Sequence, residues 1–301
     1  MSTELQAEKP IDKVREMLKN LTPAGEQSLA SHRALWEQNA DTFPTSSAVR
    51  VEKVKLDDCF AERVQAKNAT TNRVILYFHG GGYALGSARS HRHLAARLSE
   101  ASAATVFTLD YRRAPEHPFP AAVEDATAAY EVLLQQIRPE HFAVGGDSAG
   151  GALTLATLLS ARDKGLPMPA AAVLLSPFVD LTCSGDTHVT RASVDPIVSR
   201  DVLQNFISMY LGTTDRRNPM ASPVFADLTG MPPLMIQVGD HETLLAEALL
   251  LADQARKVGV PVRCDVWPEM IHVWQLFWQI LPEGAQAVDQ VGLYLKERWQ
   301  S

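Results

Sequence analysis

The chain has 301 residues, 46% of them hydrophobic, and a formal net charge of −7. That apolar content fills one large core or two modest ones and is too high for a disordered chain, and a single large domain is the default expectation. The acidic balance excludes the dense Lys/Arg surface that nucleic-acid backbones require. Cys59, Cys183 and Cys264 are widely spaced and form no CxxC pair. They fit neither a disulfide framework nor a zinc site, and imply reduced thiols in a cytoplasmic protein. The N-terminus carries mixed charges without an apolar signal core, and no apolar run reaches the roughly 18 residues of a membrane span. Export and stable membrane association are therefore not expected.

Ile11, Val14, Met17 and Leu18 recur at helical spacing, as do Leu29, Leu35 and Trp36 beyond a breaker, "LTPAG" (21–25). Two amphipathic helices are predicted there. "VRVEKVKL" (49–56) and "AERVQAK" (61–67) switch to a period of two, the signature of an antiparallel strand pair. Apolar strands at 74–80, 105–110, 142–146 and 171–177 then alternate with helical patterns at 93–102, 121–137 and 151–165. Such alternation predicts an α/β architecture, a mostly parallel central sheet with helices on both faces. Residues 180–230 break the rhythm, being rich in Asp, Ser, Thr and Pro around one helical stretch, "RDVLQNFISMYLG". An insertion lying over the sheet is expected. The alternation resumes with a strand at 233–239, a helix at 243–259, a strand at 262–267 and a closing helix near 283–299. The expected organisation is a helical cap from residues 1–45 and the 180–215 insertion, over a catalytic domain of residues 46–301.

Gly146, Asp147, Ser148, Ala149 and Gly150 spell G-x-S-x-G where a predicted strand meets a predicted helix. A tight strand-to-helix turn strains its middle residue and leaves no room for side chains two positions either side, so glycines flank it. The Ser148 hydroxyl is thereby pushed out above the sheet, beside free amides at a helix N-terminus. The pentapeptide alone is a weak signal, and its setting strengthens it. His79, Gly80, Gly81 and Gly82 end another apolar strand, where successive glycines can turn amides inward as an oxyanion hole. Gly81 and Gly82 supply two such donors and Ala149 a third, while His79 fixes the loop. No phosphate-loop pattern is present. With a nucleophile of this kind the chain order runs nucleophile, acid, base, so the late His272 is the candidate base. Asp240 and Glu242 both follow the strand at 233–239, and spacing leaves the acid open between them. His91 and His93 form an H-x-H pair without an evident third ligand, and are expected at a solvated helix start rather than at a metal.

These motifs resemble the hormone-sensitive-lipase-like group of α/β-hydrolases, bacterial carboxylesterases with an HGGG loop and a GDSAG elbow. "HGGGY" at 79, "YRRAPEHPFPAAVED" at 111, "GGDSAGG" at 145, "NPMASP" at 218, "PPLMIQVG" at 232 and "MIHVWQLF" at 270 carry the resemblance. It implies an α/β-hydrolase fold with Ser148 as nucleophile, His272 as base, and the amides of Gly81, Gly82 and Ala149 around the oxyanion. His79, Gly80, Gly146, Asp147 and Gly150 would support the site. The acid column falls on Glu242, with Asp240 as runner-up. Arg112 and Glu116 are expected to brace the elbow, and Asn218, where relatives often have Asp, to affect loop structure. The implied activity is hydrolysis of short- to medium-chain acyl esters through an acyl-enzyme, with no metal or cofactor. Lactone and amide hydrolysis use the same machinery, whereas a non-catalytic ligand-binding homologue would usually have lost the base. Leu35, Trp36, Phe43, Val202, Leu203, Phe206, Met209 and Tyr210 form an apolar set able to enclose an acyl chain, about half of them serving only to pack. A homodimer through the strand at 262–267 is a further expectation.

Overall fold

The computed structural model describes residues 9–21 and 28–300, so most of the LTPAG breaker lies outside the described residues. Eight strands form one sheet: β1 (Arg50–Leu56), β2 (Cys59–Gln65), β3 (Thr70–Phe78), β4 (Ala104–Leu109), β5 (Phe142–Asp147), β6 (Ala171–Leu175), β7 (Leu234–Gly239) and β8 (Val262–Trp267). Their order is β1-β2-β4-β3-β5-β6-β7-β8. β2 runs antiparallel to both β1 and β4, and every other pairing is parallel. The period-two stretches thus form the antiparallel margin, and the continuous apolar runs form the doubly covered parallel strands.

The helices are α1 (Pro10–Leu21), α2 (Leu29–Thr42), α3 (Arg92–Ser102), α4 (Ala121–Leu134), α5 (Ala149–Asp163), the short α6 (Thr187–Thr190), α7 (Arg200–Leu211), α8 (Leu245–Lys257) and α9 (Pro282–Arg298). Side chains alternate across a strand, and β3 shows the result. Val74, Leu76 and Phe78 belong to the core on the side of α4, α5 and α8, whereas Ile75 and Tyr77 belong to the core on the side of α3 and α9. Ile11 and Val14 of α1 join Phe43, Ile271, Trp274 and Phe277 in a third cluster.

The insertion contains α6 and α7 and is pinned at its base by buried acids. Glu247 of α8 accepts from the amides of Val179 (2.6 Å) and Asp180 (3.1 Å) and faces His188 at 3.5 Å. Burial pushes this carboxyl up to about 7, an effect that His188 and the amide only partly offset. Asp195 accepts from the amides of Ile197, Val198 and Thr243, tying the insertion to the turn after β7. Asn218 orders the loop it stands in: its side chain accepts from the Met220 amide (2.9 Å) and its carbonyl from Ser222 (2.7 Å).

Candidate active site

The carboxyl ends of β3, β5, β7 and β8 open onto one side of the sheet, the usual crevice for ligands in such sheets. β5 turns into α5 within one residue. Ser148 sits at that corner with φ +52° and ψ −120°, a strained conformation for a residue with a side chain. The turn is held from both sides, since the Ser148 amide donates to Leu175 (2.9 Å) and its carbonyl accepts from Phe178 (2.9 Å). A Cβ at Gly150 would collide with the Phe78 carbonyl, and one at Gly146 would lie 2.6 Å from that same oxygen. Close backbone approach therefore dictates both glycines. Ala149 opens α5, so its amide is one of the first-turn donors a helix leaves unpaired.

The turn after β7 carries Glu242, fully buried. One oxygen accepts from the Ser176 hydroxyl (2.7 Å) and the Gly239 amide (2.6 Å), and the other lies 3.0 Å from His272 Nδ1. Burial raises the Glu242 carboxyl above the ordinary glutamate value, with His272, Ser176 and Gly239 pulling the other way. Burial alone would lower His272; the bond and charge of Glu242 outweigh it, and the imidazole ends above its ordinary value. Asp240 does other work. Its side chain accepts from the Glu269 amide (2.6 Å) and holds the loop after β8.

Ser148, His272, Gly81 and Gly82 line one cavity of about 440 Å³. The Ser148 and His272 side chains both face this cavity, with no direct hydrogen bond between them. Leu35, Trp36, Phe43, Val202, Leu203 and Phe206 form much of the remaining wall. Met209 and Tyr210 do not line it, and Tyr210 instead stacks on Tyr83 with centroids 3.7 Å apart.

His79 is buried, stacked on Tyr111 at 4.2 Å, with Nδ1 2.8 Å from the Gly80 carbonyl. Burial pulls its pKa down to about 3, so it stays neutral and braces the glycine loop. Two expectations are corrected. His91 and His93 are not at a solvated helix start: both are buried, because α2 and the 270–281 segment cover that end of α3. Arg112 and Glu116 do not brace the elbow. Arg112 pairs with Asp125 and Glu124 at the start of α4, and Glu116 pairs with Arg33 of α2.

The elbow's brace is instead Asp147, which accepts from Tyr77 Oη (2.8 Å) and faces His91 Nε2 at 3.3 Å. Burial works to raise this carboxyl, but His91 and Tyr77 more than offset it and hold it below the ordinary aspartate value. Sequence reasoning missed Ser176, whose hydroxyl accepts from the Val273 amide (3.1 Å) while donating to Glu242. The available signal was a lone serine closing the apolar run of β6.

A strained serine at a strand-to-helix corner, under a mostly parallel sheet's carboxyl edge, defines the α/β-hydrolase class. A sequence family described as the alpha/beta hydrolase fold matches residues 75–276. An acetyl-hydrolase of Streptomyces hygroscopicus is 42% identical over 287 residues, 95% of this chain and 96% of that one. The crystal structure of an esterase from the bacterial hormone-sensitive lipase family superposes with a TM-score of 0.95 at 40% identity, covering 98% of this chain and 100% of the other. An esterase crystal soaked with p-nitrophenyl butyrate gives a TM-score of 0.94 at 44% identity, with the same coverage. The chain belongs to the bacterial hormone-sensitive-lipase-like family of α/β-hydrolases, and its class is carboxylic ester hydrolase.

Proposed function

We propose that the protein is a serine carboxylesterase acting on short- to medium-chain acyl esters through a Ser148–His272–Glu242 triad. The observation that carries this is the 3.0 Å contact between Glu242 and His272 Nδ1, with His272 facing the same cavity as the strained Ser148. His272 takes the Ser148 proton as the oxygen attacks the ester carbonyl, then returns it to the departing alcohol. Water repeats the attack on the acyl-enzyme and the acid leaves. Glu242 holds the imidazole in the tautomer with Nδ1 protonated and stabilises the imidazolium. The amides of Gly81, Gly82 and Ala149 receive the oxyanion, each such donor lowering the barrier by roughly 3 kcal/mol.

The described residues up to 45 and residues 180–215 act as the cap, and its apolar walls suit a modest acyl chain. Among the described residues no helix is long and apolar enough to cross a membrane. The three free cysteines favour work in a reducing cytoplasm. β8 is an edge strand with Val266 exposed, which supports a dimer through residues 262–267. The relative soaked with p-nitrophenyl butyrate points to the assay. Turnover of p-nitrophenyl acetate, butyrate, octanoate and palmitate should peak at butyrate or octanoate and vanish in Ser148→Ala. Retained turnover in that variant, or a palmitate optimum, contradicts the reading; size-exclusion chromatography tests the dimer.

A further inference from the structure

A second cavity, of about 480 Å³, lies among the 45–49 loop, the 66–68 turn, α3 and Trp278. His93 is the one described residue that lines both this groove and the catalytic cavity. At His93 the two spaces are therefore one residue apart. Phe43, part of the catalytic cavity wall, stacks on the His93 ring with centroids 5.4 Å apart.

The two cavities differ in chemistry. The catalytic cavity is walled largely by Leu, Phe, Trp and Val, whereas the groove carries Lys67, Asn68, Arg97 and Glu100. Three buried polar atoms on groove residues have no hydrogen-bond partner: His93 Nδ1, Arg97 Nε and Trp278 Nε1. Each such orphan costs about 1–3 kcal/mol, so the groove is suited to contents that supply bonds. The roles of these atoms are distinct. His93 is 5% exposed, and its Nε2–H donates to the Leu276 carbonyl (2.9 Å), which leaves Nδ1 as an acceptor. Burial pulls the His93 pKa down to about 4, so the ring is neutral. Arg97 Nε and Trp278 Nε1 are donors; the terminal nitrogens of Arg97 are taken by Glu100 and Asp289, and its guanidinium lies 5.6 Å from the Trp278 ring centroid. Lys67 adds an exposed ammonium with no ion pair among the described residues.

We propose that this groove is a carboxylate-binding site through which the acid product leaves and hydrolytic water enters. The inference rests on the esterase reading above. In the second half-reaction His272 takes a proton from water as the water oxygen bonds to the acyl carbon, and the bond from that carbon to Ser148 Oγ breaks. Ser148 Oγ regains its proton from His272, and the acid departs as a carboxylate with its proton passing to solvent. An apolar cavity filled by an acyl chain is a poor conduit for water and a poor host for an anion. The groove supplies what is missing, an acceptor for water at His93 and donors for the carboxylate at Lys67, Arg97 and Trp278. Glu100 and Asp289 both pair with the Arg97 guanidinium, so among the described residues the unpaired positive charge of the groove is that of Lys67 alone, which suits a site that must release what it receives.

Two variants test this, Ala48→Trp at the exposed rim and Lys67→Glu, both outside the catalytic cavity. With p-nitrophenyl butyrate the good leaving group makes acylation fast, so kcat reports deacylation and release. Both variants should lose kcat by about 3- to 10-fold while kcat/KM, which stops at acylation, stays within about twofold. The p-nitrophenol burst should keep its amplitude. An unchanged kcat in either variant, or equal falls in kcat and kcat/KM, overturns the proposal. Failure of the esterase reading looks different: residual turnover in Ser148→Ala, or no turnover in the unaltered protein.

Discussion

The corner at Ser148 and the cap above it face the same cavity, yet they are held by different forces. At the corner, backbone approaches backbone. Gly146 and Gly150 sit against the Phe78 carbonyl, and Leu175 and Phe178 clamp Ser148 through main-chain bonds. The cap is held by side chains. Arg33 of α2 reaches Glu116 and the carbonyls of Ala84 and Ala114, Arg89 reaches Glu37 and Asp41, and Tyr210 stacks on Tyr83. Main-chain contacts leave almost no choice of residue, while side-chain contacts can be repacked or traded. The rigid corner therefore suits the chemistry common to ester hydrolysis, and the adjustable cap suits the choice of ester.

Substitutions can break or sharpen that contrast. Corner and triad changes should be near all-or-none. Ser148→Ala should cost on the order of 10^4-fold or more in kcat, measured with a soluble p-nitrophenyl ester. Glu242→Gln should cost about 10^3- to 10^4-fold, and Asp240→Asn almost nothing, because only Glu242 touches His272. The pair also predicts a pH signature. His272 must be unprotonated to accept the Ser148 proton, so kcat/KM falls on the acid side of its pKa. Glu242 holds that pKa up against burial, so Glu242→Gln should move the acid limb to lower pH, and Asp240→Asn should leave it in place. A limb shifted equally by both variants would sink this assignment. Gly150→Ala should destabilise the fold by at least about 3 kcal/mol, read from chemical denaturation, since the new methyl meets main chain that cannot yield.

Cap changes should be graded. Leu203→Ala widens the cavity wall and should raise the octanoate-to-butyrate ratio of kcat/KM by about 10-fold, the worth of one or two methylenes. An unchanged ratio would remove Leu203 from the acyl pocket. The smallest effect is expected from Arg33→Ala. Its partner Glu116 is held down to about 2, mainly by the Arg33 hydrogen bond, but is solvent-exposed. Screening limits the ion pair's share of the loss to no more than about 1 kcal/mol near neutral pH. Because the folded carboxyl is depressed, that contribution exists above the unfolded pKa and disappears as pH falls through about 2, so the gap between wild type and variant should narrow in acid to what the Ala84 and Ala114 bonds contribute.

The same contrast governs what could be read from the sequence. The elbow and the glycine loop are legible because local backbone geometry demands particular residues at particular spacings. The parallel sheet follows from the alternation of apolar runs and helices. What stays hidden is pairing across long chain separations. Ser176 reaches Glu242 across 66 positions, Asp147 meets Tyr77 across 70 and His91 across 56, and no local pattern encodes these contacts. Arg112 and Glu116 show the converse. The family resemblance implied that they brace the elbow, yet their partners are Asp125 and Arg33. Asp240 and Glu242 stand two residues apart, and only the fold of the turn after β7 aims one of them at His272.

The account depends most on Ser148 being a nucleophile activated by His272. Labelling with a fluorophosphonate, followed by peptide mapping of the wild type and of His272→Ala, tests this directly. The account predicts one adduct, on Ser148, with labelling at least about 100-fold slower in the variant. An adduct on another residue, or equal rates in the two proteins, would contradict it.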